Sequence, residues 1–118
     1  MAIDYLDEII RDHQQWLRND DNSLGHFADL GQADLRDADF SLTNMSHANF
    51  AETKAQGANF FCCKLVGATF IDADLRGANF GGADLSGANF SGANIEGATF
   101  ENATTSDTIF AAEYVGPC

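Results

Sequence analysis

Large apolar residues fall at every fifth position from Leu30 to Phe110, interrupted only at Ala55 and Thr105, and two places before each sits a small residue, usually Ala. The unit Ala-(Asp/Asn)-(Leu/Phe)-x-x runs seventeen times through residues 28–112. On an α-helix five residues advance about 500°, so such side chains would spiral around the cylinder without forming a face. A straight strand fails as well, because five is an odd step and successive large residues would point to opposite sides. The pattern therefore predicts a ribbon that turns a corner within every repeat and keeps the large residue and the preceding Ala inside. That is an all-β solenoid, a β-helix whose turns lie on one another.

A second rhythm sets the number of sides. Phe40, Phe50, Phe60, Phe70, Phe80, Phe90, Phe100 and Phe110 occupy alternate repeats. With four sides per coil, one interior column reads Leu30, Phe50, Phe70, Phe90, Phe110 and the opposite one Phe40, Phe60, Phe80, Phe100. Leu35, Ala55, Leu75, Ile95 and Met45, Leu65, Leu85, Thr105 fill the other two. A three-sided coil would stack Phe on Leu in every column. Four sides instead give uniform ring ladders at roughly 4.8 Å spacing, and about four coils in a rod about 20 Å long.

Corners need a residue with positive φ, which Gly supplies most cheaply. Gly57, Gly67, Gly77, Gly82, Gly87, Gly92 and Gly97 all stand two places after a large residue, where earlier repeats carry Asp37, Leu42, His47 and Glu52. The expectation is type II corners over about 77–99 and irregular ones before residue 55. The lapse Thr53-Lys54-Ala55-Gln56-Gly57 leaves the core short of volume, and a local bend or bulge is expected there.

Residues 3–18 switch to helical spacing, with Ile3, Leu6, Ile10, His13 and Leu17 on one face and Ile9 and Trp16 widening it. Asp4, Asp7 and Glu8 suit a helix start, and Asn19 to Ser23 read as its end. A bare coil end exposes unpaired backbone and apolar rings, so this helix is expected to cap it, with Phe27 beneath. His13 reads as a satisfied boundary residue rather than a ligand; His26 and His47 have no neighbours suggesting coordination or base catalysis. The organisation expected is a capping helix and linker over 1–26, a β-helix over 27–112 and a tail over 113–118.

The units Ala28-Asp29-Leu30, Ala33-Asp34-Leu35, Ala73-Asp74-Leu75, Ala83-Asp84-Leu85 and Ala88-Asn89-Phe90 resemble the pentapeptide repeat family. The resemblance implies a right-handed quadrilateral β-helix, adding a handedness that periodicity does not give. His13-x-x-Trp16-Leu17 ahead of Gly25 resembles leader helices of some members. Fluoroquinolone-resistance proteins of this family resemble acidic DNA mimics that occupy the DNA-binding saddle of gyrase, which makes such inhibition or protection the alternative function here.

Composition narrows the chemistry. Net charge is −12: −4 over residues 1–26, −7 over 27–110 and −1 from Glu113. That sign disfavours direct nucleic-acid binding. Cys62 and Cys63 are adjacent and too constrained for an ordinary bridge, and Cys118 is the third thiol; Cys63 takes an inward Ala slot and Cys62 points out. Unpaired thiols suit a cytoplasmic location, and neither a secretion signal nor a membrane-spanning run is read from the sequence. The interior is apolar throughout, so no cleft of convergent polar groups is expected. The chain reads as a non-enzyme with no cofactor and no metal.

Function then falls to surfaces, and an unidentified protein is the expected partner. Phe61, Val66 and Ile71 occupy the position after the large residue, where Gly, Ser, Arg or Glu is the rule, and with Leu42 stacked over Cys62 they form a candidate apolar belt. Asp84, Glu96, Glu101, Asp107 and Glu113 lie beyond Arg76, the last basic residue, and are the candidate acidic surface. Lysines interrupt two edges, Asp34, Lys54, Asp74, Asn94 and Asn44, Lys64, Asp84, Thr104, and a rod this short imitates only about six base pairs. The last coil needs a cover, either the tail or another chain. Ile109, Phe110, Tyr114 and Val115 are the candidate seam of an end-to-end homodimer.

Overall fold

The computed structural model describes residues 6–18, 25 and 27–110. Each side of the solenoid is too short for an extended strand and contributes one bridged residue. The described residues form thirteen parallel bridges, from Asp29↔Asn49 to Asn89↔Ile109, every one joining residues twenty apart. Twenty residues per coil and five per repeat make the cross-section four-sided.

Three backbone hydrogen bonds recur on each side. Around Phe60, its N–H donates to Asn79 O at 2.7 Å, Cys62 N–H donates to Gly81 O at 2.8 Å, and Asn79 N–H donates back to Ala58 O at 3.0 Å. The corner closes within one storey, as where Ala33 N–H reaches Leu30 O at 3.0 Å. Almost every inner backbone group thus has a partner without any wide sheet.

Corner geometry corrects the sequence-based expectation. Positive φ occurs at the third turn residue before residue 55 as well as after it: Gln32 66°, Asp37 60°, Leu42 61°, His47 71° and Glu52 59°, against 68–75° at Gly82, Gly87, Gly92 and Gly97. Type II corners run the whole length, because the ladder to the next coil fixes the turn and overrides the residue's own preference. The expected bulge at Ala55 is also absent. Ala55 N–H donates to Asp74 O at 2.9 Å, Lys54 bridges both Asp34 and Asp74, and Ala55 is fully buried.

Inside, the phenyl columns form as the ten-residue rhythm requires. Phe50 and Phe70 stack with centroids 4.8 Å apart and planes 3° from parallel; Phe60 and Phe80 do the same at 4.8 Å and 1°. Across the core the two columns meet edge to face, Phe60 on Phe70 at 5.6 Å and 89°, the arrangement that ring quadrupoles favour. Two departures from Ala are accommodated by the turn itself, since Thr43 and Thr53 donate their hydroxyls to the carbonyls of Phe40 and Phe50 at 2.6 and 2.9 Å.

The helix α1 (Leu6–Arg18) lies over the first coil, with Leu6, Ile9 and Ile10 packed against the core. Gln14 Nε2 donates to Asn44 O at 2.7 Å. Trp16 lies against the Phe27 ring at 5.8 Å. The opposite end is more open. Ile95, Phe100, Thr105 and Phe110, one from each side, line a hollow of about 350 Å³, and Ile109 is half exposed.

Candidate functional site

Most of the outer surface follows one rule. The Asp or Asn before each large residue turns back to accept the N–H two places on, as in Asp39 Oδ1 with Ser41 N at 2.9 Å, Asn49 Oδ1 with Ala51 N at 2.9 Å and Asn79 Oδ1 with Gly81 N at 2.8 Å. This is an Asx turn, and it satisfies the outward donor of the corner. Many of the repeat's acidic side chains therefore serve the fold. At 54, 64, 69, 99, 104 and 109, where Lys, Thr or Ile stands, no such bond is made.

The candidate acidic residues are brought together only loosely. Asp84 lies on the edge with Asn44, Lys64 and Thr104, and its Oδ1 is engaged by Ser86 through both N–H and hydroxyl at 3.1 and 2.7 Å. Glu96, Glu101 and Asp107 are exposed at three successive corners of the last coil. Glu113 lies outside the described residues. Elsewhere, Arg36 and Arg76 grip Asp34 and Asp74 with two bonds each, 2.8 and 2.6 Å in the second pair. These guanidinium bonds hold both carboxyls below the ordinary range, and the Ser41 hydroxyl does the same for Asp39.

The apolar candidates divide. Leu42 N–H donates to Phe61 O at 2.9 Å, so Leu42 sits one storey above Phe61 and Cys62 at a single corner, 76% and 46% exposed for the Leu and the Phe. Below them Gly81 and Gly82 offer bare backbone. A Cβ at Gly82 would come within 2.8 Å of Cys62 Sγ, and one at Gly81 within 3.4 Å of the Phe61 ring. The thiol and ring thus lie against the next coil because those two positions carry no side chain. Shallow hollows flank the corner, one of about 440 Å³ reaching Ile10, Gln14 and Lys64, the other of about 470 Å³ reaching Asn79, Thr99 and Glu101. Val66 and Ile71 fall on the next two corners and are partly buried, so the five candidates form a patch of three with two outliers rather than a belt.

Cys63 lies fully inside, and burial pushes its thiol up to about 11. His13 is also buried: its Nδ1 accepts from Ala28 N–H at 2.9 Å, and Nε2 lies 2.9 Å from Ser46 O. Since Nδ1 accepts, the ring is neutral with its proton on Nε2. The sequence placed His13 on the packed face of the helix but gave no sign of these two partners, which lie in the first coil. Of the candidate dimer seam, Phe110 lines the C-terminal hollow and Ile109, bridged to Asn89, is half exposed; Tyr114 and Val115, like His26 and Cys118, lie outside the described residues. Among the described residues no group of three His, Cys, Asp or Glu side chains is placed to hold a metal ion, and no helix is long and apolar enough to cross a membrane.

The structure is similar to those of several solved proteins. A pentapeptide repeat protein, Rfr23, from the cyanobacterium Cyanothece 51142 is 31% identical with a TM-score of 0.69, over 70% of this chain and 57% of that one. HetL, a pentapeptide repeat protein involved in heterocyst differentiation regulation from the cyanobacterium Nostoc sp. strain PCC 7120, is 22% identical over 77% of this chain and 52% of its own, with a TM-score of 0.47. QnrB1, a plasmid-mediated fluoroquinolone resistance protein, is 25% identical over 76% and 50%, at 0.39. This chain thus spans little more than half the length of Rfr23. No curated protein matches it. The model of the pentapeptide repeats matches residues 26–60 and 63–102 in eight copies. Proteins built of these repeats fold as right-handed quadrilateral β-helices and are in general non-enzymatic structural or interaction proteins. With a twenty-residue coil, stacked phenyl columns and that match, the chain belongs to the pentapeptide repeat family.

Proposed function

We propose that this protein is a non-enzymatic right-handed β-helix that presents its surface to a protein partner, with the corner formed by Leu42, Phe61 and Cys62 as the contact. One observation carries the reading. Leu42 holds φ at 61° while 76% exposed, so a bulky apolar side chain occupies a left-handed conformation and gains little burial in return. Such a residue costs roughly 1–2 kcal/mol in that conformation relative to its right-handed alternatives, and departures of this kind cluster where a ligand or partner binds. Asn102 fills the same corner column three coils later and shows what a residue chosen for the turn alone looks like. The Phe61 ring and the flanking hollows extend the patch.

The test is affinity capture from the native cell with the wild type and with Leu42→Asn combined with Phe61→Ser. Loss of a captured protein with the double variant supports the contact; equal capture by both removes it, and loss only on Val66→Ser with Ile71→Ser moves it to the neighbouring corners. Gyrase inhibition or protection is judged in parallel by a supercoiling assay with and without quinolone, where dose-dependent inhibition or protection favours that alternative. A cytoplasmic setting is part of the proposal, supported by the exposed free thiol of Cys62. The apolar hollow lined by Phe110, together with the half-exposed Ile109, supports a second contact, end-to-end self-association, and light scattering that finds a monomer at micromolar concentration rejects it.

A further inference from the structure

We infer that α1 is a pH-sensitive latch on the first coil, held shut by neutral His13 and released when that imidazole takes up a second proton. The ring is clamped on two sides. Its Nδ1 accepts from the N–H of Ala28, where the chain enters the first coil, and Nε2 donates to the carbonyl of Ser46 at the last corner of the same coil, both at 2.9 Å. Trp16, one turn along the helix, stacks on the imidazole at 5.5 Å. A proton on Nδ1 removes the acceptor. It leaves the Ala28 N–H facing another donor and places a charge in a fully buried site.

The Ser46 carbonyl favours the charged ring, but burial outweighs it. From the coil, His47 follows Ser46 directly and its own positive charge opposes protonation of His13. Asp12 of α1 and Asp29 of the coil lie at the rim of the neighbouring hollow with Ile9 and Phe27. Burial lowers the affinity of His13 for its proton, and His47 acts in the same direction.

Release of the helix gives back to His13 its ordinary pKa of about 6.5. Between that value and the lower one of the docked state, opening takes up one proton, so the opening equilibrium rises toward about tenfold per pH unit as pH falls. The coil below does not share this dependence, since its rungs are backbone bonds and its core is apolar. Opening uncovers the carbonyls of Asn44 and Ser46 and the N–H of Ala28, an edge of the kind that pairs with an extended segment.

Hydrogen exchange of the full chain, read by mass spectrometry between pH 7.5 and 5 and corrected for intrinsic exchange, tests the latch. The expected result is that protection of 6–18 falls toward tenfold per pH unit below about 6.5 while peptides from 48–100 keep theirs. Fluorescence of Trp16, the only tryptophan, should follow the same midpoint. In His13→Gln the protection of α1 should become independent of pH, whether that helix docks well or poorly, and in His47→Gln, where the docked imidazole takes up its proton more readily, the loss of protection should be shallower and move to lower pH. Unchanged protection of α1 down to pH 5, simultaneous loss in helix and coil, or a pH dependence that survives His13→Gln overturns the inference.

Discussion

Replacing Leu42 by Asn separates what the corner does for the fold from what it does for a partner. At φ 61° Leu pays roughly 1–2 kcal/mol, and Asn, which adopts this region several times more readily, recovers part of it. With 76% of its surface in water, the side chain holds about a quarter of the 1.5–3 kcal/mol of a fully buried Leu, or roughly 0.4–0.7 kcal/mol. The two terms nearly cancel, so stability should change by less than about 1 kcal/mol in either direction. The same change at Leu65, which is fully buried between Met45 and Leu85 columns-wise, should cost at least the 2–5 kcal/mol of a core truncation. Urea denaturation followed by circular dichroism, with an unchanged slope, measures both. Partner affinity should meanwhile fall tenfold or more with Leu42→Asn, the effect of losing about 1.4 kcal/mol at an interface. A stability loss above about 2 kcal/mol would show that Leu42 holds the corner together and would refute the reasoning.

Other outcomes follow from the same geometry. Phe70→Ala removes a ring stacked at 4.8 and 4.7 Å on both sides and should cost about 3–5 kcal/mol, whereas Phe110→Ala, at the open end with one stacked neighbour at 5.5 Å, should cost less than half as much; equal losses in denaturant melts would count against the ladder. Asn89→Ala deletes the acceptor for Ser91 N–H and hydroxyl at 2.9 and 2.6 Å and should destabilise by about 0.5–1.5 kcal/mol, against no change at Thr69, which makes no Asx turn. Gly25→Ala puts a Cβ 2.4 Å from Asp12 O at φ 74° and should displace α1, seen as altered Trp16 fluorescence with intact coils. Cys62 should be alkylated in the native protein and Cys63 only on unfolding. Because the folded Cys63 pKa is raised to about 11, its contribution is complete below the unfolded value of about 8.5 and is lost as pH climbs toward 11; the stability decline over that range should be smaller in Cys63→Ala.

Periodicity carried most of the architecture, because a β-helix repeats one local solution and each repeat contacts only the coils above and below. The five- and ten-residue rhythms determined the sides, the phenyl columns, the inward Cys63 and outward Cys62, and the helical spacing ahead of them determined the capping of one end. Where the sequence misled, at the glycine-free corners and at Ala55, a neighbouring coil overrode local preference: the hydrogen bonds that enforce positive φ at Leu42 and continuity at Ala55 come from residues about twenty positions away. The Asx turns were hidden because Asp and Asn read as surface charge until the N–H they face is known. The twenty-residue register already stacked Leu42 over Cys62; only the tertiary structure could show that Leu42 and Phe61 stay exposed while Val66 and Ile71 are partly buried, and only it could seat His13 between Ala28 and Ser46. Those placements depend on how separate segments are stacked, which a pattern along one chain does not encode.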